Sequence, residues 1–209
     1  MLTHMIRLAA GLSLFASMLS FSFGTPGTVG TPGTFDSTPG IQGAKRPDAP
    51  QLAPYVPTPQ EVVDRMLALA NVQKNDFVVD LGCGDGRIPV TAAKKYGARG
   101  LGVDIDPVRI EEANANAKAA GVTHLVEFKL QDALKTDVTN ATVVTTYLLS
   151  QSNLRLRPII TKQLKPGSRI VTHSFSMGDW APTKSETFND ATGRSRTIYL
   201  YLADGKVRQ

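Results

Sequence analysis

Residues 78–107 read VVDLGCGDGRIPVTAAKKYGARGLGVDIDP, and this stretch decides the fold. Phe77-Val78-Val79-Asp80-Leu81 is a short β-rich run ended by glycines, which predicts a buried strand. Gly82, Gly84 and Gly86 follow at alternate positions and let the backbone turn sharply and approach a ligand with no Cβ in the way. Ile88 to Tyr96 predicts a helix, and Gly100-Leu101-Gly102-Val103 a second strand. Asp106-Pro107 joins an N-cap to a first-turn proline, so Val108 to Ala120 should be helical up to Gly121. Strands alternating with helices argue a parallel sheet covered on both faces.

Outward from this core the same alternation continues. Upstream, Thr58-Pro59-Gln60-Glu61 reads as a capping box with proline at the first helical position. Behind it Val63, Met66, Leu67 and Ala70 make one apolar helix face. Downstream, strands are expected at Leu125–Leu130, Ala141–Tyr147 and Ser168–Ser176, with a helix over 152–164 that Pro158 starts or kinks. Lys184–Phe188 and Arg196–Ala203 close the chain as a strand pair. The expected architecture is α/β and doubly wound, with a mostly parallel seven-stranded sheet and an antiparallel edge strand. Residues 54–209 hold this domain, and a unit of that size buries about 68–70% of its unfolded surface.

Two segments precede the domain. Residues 1–24 join a basic Arg7 to an apolar stretch from Leu8 to Phe23, ending in the small residues around Gly24. That pattern is a signal peptide, implying an exported domain (periplasmic or secreted), or an uncleaved membrane anchor. Residues 25–53 repeat Thr-Pro-Gly three times and offer few large apolar side chains, so they read as a disordered linker.

Composition narrows the chemistry. The single cysteine excludes an intramolecular disulfide framework, and three histidines far apart in sequence give no metal-ligand spacing. A net charge of +5 permits an acidic partner without demanding one. No basic–aromatic array favours nucleic acid. Oligomeric state leaves no mark on the sequence.

A site is spelled out by three acids. Asp80 ends the first strand, Asp104 the second and Asp132 the third, and open α/β sheets bind ligands at strand carboxyl ends. The glycine loop alone suits a dinucleotide, a mononucleotide or S-adenosylmethionine. A dinucleotide fingerprint wants Gly-x-Gly-x-x-Gly/Ala, and Arg87 stands where its third glycine would pack. Asp104 lies where a carboxylate accepts from both ribose hydroxyls of an adenosine, and Asp132 where an adenine amino group would lie.

The segment VVDLGCGDGRIPVTAAKKYGARGLGVDIDP resembles the first two motifs of class I, seven-β-strand S-adenosylmethionine-dependent methyltransferases, and LKPGSRIV resembles the entry to that fold's fifth strand. The resemblance spans roughly residues 55–203. It implies a Rossmann-like methyltransferase fold with S-adenosylmethionine as cofactor. By it, Gly82, Gly84 and Gly86 flank the methionine part, Asp80 helps hold its amino group, Asp104 binds the ribose and Asp132 the adenine edge; Asp85, beside them, reads either as a cofactor contact or as an acid favouring a helix N-terminus. A narrower likeness rests on Tyr55-Val56-Pro57-Thr58-Pro59, GDGRI and the fifth-strand region through Phe175 and Trp180. These are similar to a group of protein lysine methyltransferases whose mitochondrial members modify inner-membrane proteins. After the fourth strand the chain reads Thr145-Thr146-Tyr147-Leu148-Leu149, without the Asp/Asn-Pro-Pro-Tyr motif of amide- and base-methylating enzymes.

A methyl acceptor attacks the sulfonium methyl with a lone pair, so a lysine ammonium must first lose its proton. Positioning of donor and acceptor supplies much of the acceleration, and no triad is visible. Tyr147 and His173 are the catalytic candidates, and Tyr55, Thr146 and Trp180 are expected to bind substrate, a protein or small amine and in this group a membrane protein. No metal is expected. Two other readings compete: an NAD-dependent oxidoreductase, and a non-catalytic protein that keeps the cofactor site.

Overall fold

A computed structural model describes residues 46–209. The leader at 1–24 and most of the linker lie outside the described residues. No described helix is long and apolar enough to cross a membrane.

The strands form where β-branched and apolar residues run together. They are β1 (Phe77–Leu81), β2 (Arg99–Asp104), β3 (Val126–Leu130), β4 (Val143–Thr146), β5 (Arg169–His173), β6 (Lys184–Asn189) and β7 (Ser195–Leu202). Between them lie α1 (Gln60–Leu69), α2 (Arg87–Tyr96), α3 (Pro107–Ala120), a 3-10 turn at Ala133–Lys135 and α4 (Ser150–Gln163). The sheet order is β3-β2-β1-β4-β5-β7-β6. β1 to β5 are parallel neighbours, and β7 is antiparallel to both β5 and β6. The doubly wound seven-stranded sheet is therefore present, with one refinement: the reversed strand is β7, one place in from the edge. The outermost strand, β6, is polar with mostly exposed side chains, which suits an unpaired edge.

Alternation along the strands divides the core into two layers. Val78, Val143, Val171 and Ile198 face Val62, Val63, Met66 and Leu67 of α1 and Ile88 and Ala92 of α2. Val79, Val144, Ile170 and Tyr201 face the other way, onto Leu156 and Ile160 of α4. Ile110, Ala113 and Ala117 of α3 pack with Phe128 of β3. The α1 face expected from spacing is thus buried.

Two local expectations need correction. The capping box before α1 does not form: Pro59 is the N-cap residue and no side chain caps the helix. Thr58 is buried, and its carbonyl accepts from Arg87 Nη1 at 2.7 Å, which ties the helix start to the glycine loop instead. Second, Leu52 and Ala53, placed by composition in the linker, pack against the core beside α4. The Asp106-Pro107 start of α3 has the geometry its sequence predicts, with the Asp106 carboxylate accepting from Val108 N. Pro158 sits inside α4.

Candidate active site

The carboxyl ends of β1, β2 and β4 and the turn after β3 open on one cleft. Parallel strands end together, so Asp80, Asp104, Asp132 and Tyr147 reach this cleft from four adjacent strands. Gly82, Gly84, Asp85 and Tyr55 also line it. Gly86 lies one turn behind, as the left-handed N-cap residue of α2.

Asp80 is the most deeply buried acid of the site. Thr145, its register partner on β4, donates its hydroxyl to Asp80 Oδ1 at 2.7 Å. Burial pushes the Asp80 carboxyl up to about 7; the Thr145 bond opposes this, and the charges of Asp104 and Asp85 add to it. A cationic amino group brought beside it would make its ionisation cheaper.

Asp104 is held by two backbone amides. Gly84 N–H donates to Oδ2 at 2.9 Å and Asp106 N–H to Oδ1 at 3.0 Å. Gly84 has φ +53° and no room for a side chain, because a Cβ there would lie 2.5 Å from the Tyr55 ring. Asp132 is also buried and caps the 3-10 turn, accepting from Leu134 N at 2.9 Å.

Asp85 and Arg87 form a close pair, with Nε at 2.9 Å from Oδ1 and Nη2 at 2.5 Å from Oδ2. Burial raises the Asp85 carboxyl, but the Arg87 guanidinium outweighs this and holds it below the usual carboxylate range. The Asp85 carbonyl accepts from Asn116 of α3. Arg87, which breaks the dinucleotide pattern, therefore locks the glycine loop to both Asp85 and Thr58. Cys83 is buried, and burial pushes its thiol well above the ordinary range, so it is a packed residue and no nucleophile.

The acceptor-side candidates separate. Tyr147 lines the cleft, and its ring lies 3.9 Å from that of His173 and 6.4 Å from that of Phe175. His173 itself is wholly buried, and neither ring nitrogen has a hydrogen-bond partner. Burial, with the charge of Arg196, lowers it to about 4, so it is a neutral ring behind Tyr147 that cannot touch an acceptor. Thr146 is wholly buried and donates to Asn153 Oδ1 at 3.2 Å, away from the cleft. Trp180 packs on Tyr201, 4.9 Å between centroids, with the Arg208 guanidinium 4.5 Å from its ring, and covers the edge of the core. Neither Thr146 nor Trp180, expected to bind substrate, lines the cleft.

A sequence model of the ANTKMT methyltransferase domain matches residues 80–184, the span that carries these acids and the glycine loop. The chain belongs to this methyltransferase family. The methyltransferase is 45% identical over 150 residues to a protein-lysine N-methyltransferase of Saccharolobus islandicus (strain REY15A), covering 71% of this chain and 92% of that one. It is 28% identical over 129 residues to an ATP synthase lysine N-methyltransferase of Xenopus laevis, covering 62% of this chain and 56% of that one. A crystal structure of an RNA methyltransferase from Salinibacter ruber in complex with S-adenosyl-L-homocysteine is 48% identical. It covers 74% of this chain and 97% of that one, with a TM-score of 0.68. The enzyme is an S-adenosylmethionine-dependent methyltransferase, which removes the oxidoreductase reading. The residues present fit the cofactor: an amide-held carboxylate at Asp104, a buried acid at Asp80 that gains from a nearby cation, and a loop floor free of Cβ at Gly84.

Four further residues at the cleft were not expected from sequence. Leu148 touches the Gly82 position, Arg109 stacks on Tyr55, and Arg46 and Leu52 arrive from the upstream segment. Arg109 was findable, since it sits in the first turn of the helix that Asp106 caps. Nothing local marks Arg46 or Leu52.

Proposed function

We propose that this methyltransferase acts on the ε-amine of lysine in a protein. One observation carries the reading: the Saccharolobus relative, a protein-lysine N-methyltransferase, matches at 45% identity over nearly its whole length. The Xenopus relative, named for lysine methylation of ATP synthase, supports it.

When bound, S-adenosylmethionine supplies an electrophilic methyl group on a sulfonium. Asp104 would hold the ribose, Asp132 the adenine edge and Asp80 the amino group, over the loop from Gly82 to Gly86. On the β4 side Tyr147 and Leu148 form the wall past which a lysine would enter. Such a wall strips water from an ammonium and favours its neutral form. His173 supports Tyr147 from behind and takes no proton from the acceptor. Alignment of the reacting groups and exclusion of water, rather than a dedicated base, do the catalytic work.

The leader at 1–24 adds a location. As an uncleaved anchor it would tether the domain to a membrane on the side where S-adenosylmethionine is made, and a membrane protein would then be the accessible acceptor. A cleaved leader would instead export the domain and require a supply of cofactor outside.

Tritiated S-adenosylmethionine, the full-length enzyme and membrane, soluble-protein and RNA fractions test the reading. Label in protein that disappears after chemical blocking of lysines supports it. The Salinibacter structure, an RNA methyltransferase by name, makes RNA the competing acceptor. Label in RNA alone would overturn lysine.

A further inference from the structure

The segment 46–58 has almost no regular structure, yet it is pinned at both rims of the cleft. Arg46 Nη2 meets Asp106 Oδ2 at 3.2 Å, on the β2 rim. The chain then crosses to the α4 rim, where the Ser152 hydroxyl donates to the Leu52 carbonyl and Leu52 packs on the core. It returns to the β2 rim at Tyr55, whose ring lies against Gly84 and under the Arg109 guanidinium, 4.3 Å from the ring centroid. It ends at Thr58, tied to Arg87 at 2.7 Å. The segment thus crosses the cleft twice.

We propose that residues 46–58 are a strap over the bound cofactor and that Tyr55 is its contact with the nucleoside end of S-adenosylmethionine. Tyr55 sits beside Gly84, which donates to Asp104, on the rim where the ribose carboxylate stands. Tyr147, the acceptor-side aromatic, stands across the cleft after β4. Arg109 covers one side of the Tyr55 ring, Gly84 meets its edge, and the ring lines the cleft while remaining 43% exposed. An aromatic ring with an uncovered face beside an acid is suited to pack on a ribose or adenine. This moves Tyr55 from the substrate side, where its sequence motif placed it, to the cofactor. It also makes departure of the spent cofactor depend on release of the strap.

S-adenosylhomocysteine is the probe. Affinity is measured by calorimetry and release by stopped flow, on the full-length chain in detergent. Tyr55→Ala should weaken binding about tenfold, the worth of one aromatic contact, and speed release. Tyr55→Phe keeps the ring and should retain most of the affinity. Arg46→Ala removes an exposed pair and should speed release with a smaller loss of affinity. The unfolding temperature of each ligand-free variant should stay near that of the wild type, because both side chains are about half exposed and neither belongs to the buried core. Unchanged affinity and release in Tyr55→Ala would overturn the proposal. A defect seen only in labelling of lysate protein at saturating S-adenosylmethionine would also overturn it and return Tyr55 to the acceptor. If Tyr55→Ala fails to fold, unchanged release in Arg46→Ala decides against the strap. Wild-type protein that does not bind S-adenosylhomocysteine would overturn the cofactor site and the strap together.

Discussion

Gly84 and Asp104, twenty residues apart, are joined by one hydrogen bond: the Gly84 amide donates to the Asp104 carboxylate at 2.9 Å. The second carboxylate oxygen is held by the Asp106 amide at 3.0 Å. The floor of the cofactor cleft and the acid at its ribose end are therefore one unit, oriented before any ligand arrives. Fixed acceptors lose little freedom on binding, which is where preorganisation yields affinity.

Asp104→Ala removes the acid and frees the loop. Affinity for S-adenosylhomocysteine should fall by at least about 10-fold, since hydrogen bonds to a charged group contribute about 1.5–3 kcal/mol. Calorimetric titration of the variant beside the wild type reads this directly. Equal affinities would remove Asp104 from the site.

Gly86→Ala should act on folding. Gly86 has φ +74°, and a Cβ there would lie 2.6 Å from the Phe128 ring and 2.8 Å from the Ala113 Cβ. A left-handed alanine costs about 1–2 kcal/mol and overpacking about 1–3 kcal/mol more. Urea unfolding should show a loss of about 2–5 kcal/mol. An unchanged midpoint would mean that α2 and α3 shift freely.

How much of this was legible in sequence depended on how local the signal was. β1 begins and ends where its β-rich run does, and Asp106-Pro107 starts α3, because strand propensity and capping act over a few residues. The Thr58 capping box failed because the helix starts one residue later: the Pro59 carbonyl accepts the first helical amides, Val62 and Val63, so Pro59 is the N-cap and Thr58 lies outside, buried and bonded through its carbonyl to Arg87, 29 residues on. Leu52 was read as linker because its neighbours are polar and proline-rich; what holds it is Ser152, 100 residues away. At the site, the three acids were readable as strand ends. Thr146 and His173 were not separable from Tyr147, because their burial depends on strand pairing with β5 and β7. Trp180 lies in a loop whose path is set by Tyr201 and Arg157, which no nearby residue announces.

His173 gives the enzyme an acid-sensitive fold. Its folded value of about 4 lies below the ordinary 6.5, so the unfolded chain takes up the proton first. The stability contributed by neutral His173 is fully present above pH 6.5 and falls as pH drops toward 4, by up to about 3 kcal/mol. His173→Phe keeps a ring against Tyr147 and buries no orphaned nitrogen. Thermal unfolding between these pH values should show a shallower loss for the variant. Parallel curves would place the acid sensitivity elsewhere.

Asp80 works in the opposite direction. Its folded value of about 7 lies above the ordinary 3.8, so its contribution is present below pH 3.8 and is lost as pH rises through 7. Ionised Asp80 is what a cofactor ammonium needs. Wild-type affinity for S-adenosylhomocysteine should therefore climb as pH passes through about 7, and the climb should vanish in Asp80→Asn, which keeps an oxygen acceptor for Thr145. Titrations at pH values on either side of 7 check this; an equal climb in the variant would assign it to another group.

The identity of the methyl acceptor is the central claim, and mass spectrometry of transferred label tests it most directly. Full-length enzyme and S-adenosylmethionine carrying a deuterated methyl group would be incubated with membrane and soluble proteins and with RNA. Deuterated methyl groups are expected on lysine ε-amines, and they should be lost when Asp104→Ala replaces the wild type. Label confined to RNA, or to protein groups other than lysine, would contradict lysine methylation.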